Sequence, residues 1–146
     1  CSPLKMENIN IEISILAPLD LVWECFTERK HIEKWYYSSD QWYCTKAEND
    51  FKVGGAFNFR IEAKSHKFGY NFSGVYEEII PHKLIRIQVS DGRMILIEFN
   101  QIEPDLVQIV QTFEPEKGTP RGTQRETAYG ILNNFHKYVE NKKGNS

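Results

Sequence analysis

The side chains best suited to binding a metal or attacking a substrate are few and scattered: four histidines and three cysteines in 146 residues. His31, His66, His82 and His136 fall on different expected elements. No two are spaced i, i+4, and none sits beside a cysteine or a carboxylate at metal-ligand spacing, so no metal is implied. His31 and His136 read as solvated groups on polar helix faces, and His66 and His82 as turn residues. Cys1, Cys25 and Cys44 match no zinc or redox spacing. Cys25 falls on an apolar helix face, where a thiol is a small core side chain rather than a nucleophile. Gly54-Gly55 lacks the Lys-Ser/Thr and the helix start of a phosphate loop, and no serine stands in a nucleophile elbow. Tyr76 with Glu78 supplies a phenol and a carboxylate that could act as acid and base. No cofactor is implied.

The elements that would position these residues follow from periodicity. Ile9, Ile11, Ile13 and Ile15 alternate with polar residues, a strand with one buried face. Pro18 ends it. Asp20 is placed to cap a short helix carrying Leu21, Val22, Cys25 and Phe26, and Thr27 to restart a second one through Ile32 and Trp35. Strands follow over Trp42–Ala47, Phe57–Ala63, Tyr70–Ile80, Leu84–Val89, Arg93–Gln101 and Leu106–Phe113. Gly54-Gly55, Ser65–Gly69 and Asp91-Gly92 supply the turns, the last a strong hairpin signal. From Thr123 to Asn141 the period becomes helical, with Ala128, Leu132, Phe135 and Val139 on one face. Consecutive hairpins with segregated helices make the class α+β: a curved antiparallel sheet of six to seven strands wrapped on a long C-terminal helix, with two short helices after the first strand.

One domain of this size buries a core without disulfide or metal staples. The domain is expected over residues 8–142, with tails at 1–7 and 143–146. The chain opens on Cys1 and its first methionine is Met6, so residues 1–5 read as an appended remnant, and secondarily as the start of a processed lipoprotein. A net charge of -2 gives no reason to expect nucleic acid or an acidic membrane surface as partner. No apolar run reaches membrane-spanning length. The thiols are expected to be reduced, as in a cytoplasmic protein.

The same segments resemble a known family. They are Ala17-Pro18 with Val22-Trp23 and Phe26-Thr27; Lys34-Trp35; Asn49-Asp50 with Gly54-Gly55; the run from Gly74 to Pro81; Asp91-Gly92-Arg93; Thr112-Phe113-Glu114; and the run from Ile131 to Glu140. In this order, from about Ile9 to Glu140, they resemble the activator of heat-shock-protein-90 ATPase homologue-like family of the START-like, birch-pollen-allergen-like (SRPBCC) superfamily. The resemblance implies a helix-grip fold. It also implies either a chaperone partner, as for the eukaryotic namesake, or a small apolar ligand such as a lipid, sterol, hormone or polyketide, with cyclase chemistry in some relatives. Fold alone does not choose among these. The family's last helix usually carries Gly-Trp where this chain reads Thr127-Ala128. Loss of that indole either enlarges a cavity or lets neighbouring rings fill it.

Strand parity names the cavity. Phe57 and Phe59 share a face, as do Phe72, Gly74, Tyr76 and Glu78, and also Gln111 and Phe113. Ala128, Leu132 and Phe135 face them from the last helix, and Trp35 from the second short helix. Tyr76, Glu78 and Gln111 are polar on a largely apolar face. They either bond one another at a wet rim or orient the polar end of a ligand. The run Trp35-Tyr36-Tyr37, with Trp42-Tyr43, reads either as packing or as a pocket mouth. The leading expectation is a non-catalytic module enclosing a small apolar or amphipathic ligand. A chaperone-type protein interaction comes next, and a cyclase-like enzyme third.

Overall fold

The computed structural model describes residues 8–37, 41–64, 69–115, 118 and 120–144. The element order is β1 (Ile9–Ile15), α1 (Leu19–Thr27), α2 (Arg29–Trp35), β2 (Trp42–Asn49), β3 (Ala56–Ala63), β4 (Gly69–Ile80), β5 (Leu84–Val89), β6 (Met94–Glu103), β7 (Leu106–Phe113) and α3 (Arg121–Gly144). The strands form one antiparallel sheet in the order β1-β7-β6-β5-β4-β3-β2. This is the α+β helix-grip arrangement expected from the sequence.

Alternation sets the faces. In β1 every isoleucine is buried and every polar neighbour exposed. The same parity turns Ile85, Ile87 and Val89, then Ile95, Ile97 and Phe99, then Val107, Ile109 and Phe113, into one core. Gly92 makes the β5–β6 turn with φ +97°, a conformation that favours glycine. Gly74 is needed for a different reason: a Cβ there would meet the Gln88 carbonyl oxygen at 2.4 Å and the Phe57 ring at 3.0 Å. Its close neighbours are β5 and a β3 ring, not the last helix.

The short helices depart from expectation. Pro18, not Asp20, occupies the N-cap of α1 and makes no side-chain cap bond. Asp20 lies in the first turn, where a carboxylate still favours the helix dipole. Thr27 closes α1 instead of starting α2. Glu28 between them is extended, at φ -87° and ψ 132°, which breaks the helix and redirects the chain.

Helix α3 makes its close backbone approaches to β1, α2 and α1. Leu132, Phe135 and Val139 are buried there, whereas no residue from 121 to 131 is. Glu140 receives the Leu16 backbone N–H at 2.9 Å and lies 2.6 Å from His136 Nε2, fixing the C-terminal half. The N-terminal half is tied by exposed guanidinium bonds from Arg121 and Arg125 to the Asn8 and Asn10 carbonyls of the β1 edge. The sheet curves away beneath it and leaves a space.

Candidate binding cavity

That space is a cavity of about 550 Å³. Strands β3 and β4 supply Phe57, Phe59, Phe72 and Tyr76 to its wall, β7 supplies Gln111 and Phe113, α2 supplies Trp35, and α3 supplies Ala128 and Leu132. Ile85 and Ile87 on β5 and Ile95 and Ile97 on β6 add an aliphatic stretch, and Phe26, Tyr36, Phe51, Tyr70, Asn71 and Ser73 complete much of the rest. Its rim is polar: Ser90, Asp91 and Arg93 of the β5–β6 hairpin face Thr123, Gln124 and Thr127 of α3.

Two residues named from the sequence lie elsewhere. Glu78 was expected beside Tyr76, but the β4–β5 register shifts between them, and the bulge moves every later residue to the other face. Glu78 therefore pairs with Arg86 on the outer face, and Ile79 takes the inward place opposite Ile85. The two residues proposed as acid and base thus face opposite sides of the sheet. Phe135 is fully buried one turn beyond the cavity and packs on Trp35 at 4.6 Å and Phe26 at 5.2 Å between ring centroids. It forms part of the floor on which the lining rings rest.

Tyr76 lines the cavity but its hydroxyl is committed. It donates to Asn49 Oδ1, while Asn49 Nδ2 donates to the Thr27 carbonyl at 2.6 Å and Thr27 Oγ1 donates to the Trp23 carbonyl at 2.8 Å. This chain of bonds ties β4 and the end of β2 to α1. Burial pushes the Tyr76 phenol above its usual range, against the pull of the Asn49 bond. Tyr76→Phe is expected to destabilise the fold by about 1–3 kcal/mol, because Asn49 loses its donor in a part-buried place. Urea denaturation checks this, and a change under about 0.5 kcal/mol would mean that water replaces the hydroxyl.

Gln111 and Tyr36 bring part-buried polar groups to the cavity. Neither side chain has a hydrogen-bond partner among the described residues, and both line the space. Burial, then the neighbouring Tyr70, Tyr76 and Cys44, push the Tyr36 phenol upward, so it stays a neutral donor and acceptor. At the rim, burial raises the Asp91 carboxyl, but hydrogen bonds and charge from Arg93 outweigh it and hold the group below its ordinary value. Arg93 Nε lies 2.7 Å from Asp91 Oδ2, so the rim carries a self-neutralised pair.

The sequence does not assign Phe26 to the cavity, and it leaves Tyr36 in a run that reads either as packing or as a pocket mouth. The aromatic run at 35–37 was the available signal, but periodicity does not separate a ring facing a hollow from one facing a filled core. Trp42 packs edge-on to Tyr70 and Tyr43 is exposed, and neither lines the cavity. Trp35 donates its indole N–H to the Cys25 carbonyl at 2.9 Å, which fixes its pose. Cys25 and Cys44 are free and buried, as core thiols, and burial is the largest cause lifting each to about 11.

The histidines also need correction. His31 is not solvated: only 5% of it is exposed. Burial first, then Lys142, lower its pKa, against Glu24 and Glu28. Its Nδ1 lies 2.7 Å from the Tyr138 hydroxyl of α3, a cover that local polar neighbours could not reveal. His82 sits at φ +66° in the turn after β4, 3.2 Å from Asp20 and against the Trp23 ring. His66 lies outside the described residues.

Comparison with known proteins agrees with this geometry. Residues 16–142 match the family model described as Activator of Hsp90 ATPase homolog 1-like protein. A search of curated proteins finds no match. Among solved structures, the chain is similar to the solution structure of an AHSA1-like protein from Aeromonas hydrophila, with a TM-score of 0.84 and 28% identity over 92% of this chain and 94% of that one. It is similar to the solution structure of Chr148 from Cytophaga hutchinsonii, with a TM-score of 0.78 and 34% identity over 95% and 96%. NE0264 from Nitrosomonas europaea shares the fold at a TM-score of 0.80 and 15% identity, over 94% and 97%. No described helix is long and apolar enough to cross a membrane. With the match spanning almost the whole domain and the sheet, helices and cavity arranged as described, the chain belongs to the activator of Hsp90 ATPase homolog 1-like family.

Proposed function

We propose that this protein is a non-catalytic binding module that takes a small amphipathic molecule, largely apolar, into the cavity between the sheet and α3. One observation carries the reading: an apolar space of about 550 Å³ into which Gln111 and Tyr36 bring polar groups with no partner among the described residues. An empty apolar cavity costs a protein stability, and the part-buried Gln111 and Tyr36 side chains lose solvation without a partner in return. A ligand with an apolar body and one internal hydrogen-bonding group offsets both. The volume lies within the usual range of small-molecule sites. The self-neutralised Asp91–Arg93 pair at the rim suits a polar but not strongly charged end.

The test is a chemical-shift titration of isotope-labelled protein with fatty acids, sterols and flat aromatic compounds. Saturable shifts at Gln111, Tyr36 and Leu132 with at least one class support the reading. Shifts absent across the panel overturn it. Interaction with a chaperone, which the family's name suggests, would then be the reading to pursue, by pull-down with the purified chaperone.

A further inference from the structure

A second cluster lies outside the cavity, where the three helices meet. Glu24 comes from α1, Glu28 from the break between α1 and α2, and His31 from α2. Because Glu28 is extended, the three residues do not run down one helical stripe. They converge, and a donor atom from each lies within 4.8 Å of the other two.

The imidazole makes this more than an acidic patch. His31 is 5% exposed, and its Nε2 has no hydrogen-bond partner among the described residues. That atom faces the carboxylates, 3.5 Å from Glu24 Oε2 and 3.7 Å from Glu28 Oε2. Both separations are long for a hydrogen bond. They are close to the roughly 3.4 Å that separates donors sharing one metal ion at about 2.1 Å in tetrahedral geometry. The other ring nitrogen is held by Tyr138 at 2.7 Å. Metal-binding histidines are oriented in this way, with the far ring nitrogen bonded to an outer partner.

We propose that Glu24, Glu28 and His31 form a binding site for a divalent transition-metal ion. His31 supplies Nε2, each glutamate supplies one oxygen, and Tyr138 accepts from Nδ1–H to fix the ring. One imidazole and two carboxylates suit zinc, manganese, cobalt or nickel better than magnesium or calcium, which prefer an all-oxygen shell. The glutamate side chains are 51% and 45% exposed, so both are free to close on an ion and solvent supplies any further ligand. Lys142 on α3 and Lys30 on α2 bring opposing positive charge close to His31. Their repulsion limits affinity but does not occupy a donor. A bound ion would brace α1 to α2, the two helices that carry Phe26, Trp35 and Tyr36 to the cavity. The site does not depend on the ligand reading.

The test is zinc titration of the full chain by calorimetry, with long-range ¹H–¹⁵N spectra of the histidine rings. One ion per chain is expected. The His31 Nε2 resonance should move on binding while Nδ1 stays protonated. Glu24→Gln with Glu28→Gln changes only exposed carboxylates, so the fold survives, and affinity should fall at least tenfold. His31→Gln should abolish the site, and magnesium should leave the His31 signals in place. No uptake of zinc overturns the proposal. So does uptake undiminished in the double variant, which would assign the ion to other groups such as the thiols.

Discussion

Replacing Phe135 with alanine is expected to lower the stability of the fold by about 3–5 kcal/mol, the usual cost of deleting a fully buried ring. The ring is 0% exposed and makes edge-on contacts with Trp35 and Phe26, which add to the area term. Its neighbours cannot collapse cheaply into the gap, because Trp35 is pinned by its indole bond to Cys25 and Phe26 also packs on Phe99. The vacated volume would lie behind Trp35 and Phe26, which line the existing cavity. Guanidinium denaturation measures the effect, with the slope checked for constancy. In a domain of this size, 3 kcal/mol corresponds to a fall in Tm of roughly 6–12 °C. A loss under about 1 kcal/mol would mean that the ring is not part of the floor.

Ala128→Trp is expected to act in the opposite sense, on binding rather than on folding. Ala128 is half-buried and lines the cavity on α3. An indole there would enter the hollow that an amphipathic guest would fill, and it is the side chain the family usually carries at this place. Affinity for any guest that binds the wild type should fall at least tenfold, about 1.4 kcal/mol. Stability should hold or rise, because the ring fills a void instead of crowding a packed core. A guest bound equally well by Ala128→Trp would lie somewhere other than this cavity, and the proposed function would fail with it. Stability lost by more than about 2 kcal/mol would mean that the hollow is too tight for the ring.

The strands were legible because their side-chain period of two is rigid. β5 and β7 keep the boundaries and faces that alternation assigns, and Gln111 stands out as the polar member of an apolar row. Glu78 was misplaced by one extra residue in β4, because parity carries no trace of a bulge until both strands of the pair are seen. His31 was misread because its cover, Tyr138, lies 107 residues away along the chain. The Glu24, Glu28 and His31 cluster was within reach of the sequence, because the three stand at i, i+4 and i+7, a spacing that brings side chains together and that the reading of the histidines overlooked. Phe135 and Leu132 share one helical stripe, and periodicity cannot say where along that stripe the sheet falls away.

That change along α3 has an energetic consequence. Its C-terminal half is welded into the core through Leu132, Phe135 and Val139, so opening it requires opening the protein. The half before Leu132 buries no residue and is fastened by exposed arginine bonds to an edge strand. Local opening there gives up exposed arginine bonds and the part-buried packing of Ala128 and Ile131 but no fully buried side chain, so it costs less than global unfolding. One continuous helix is thus a gradient of opening free energies, with its weak end over the cavity and its strong end in the core. A guest of suitable chemistry would enter by the least costly motion available to the fold, and the sheet would not have to move.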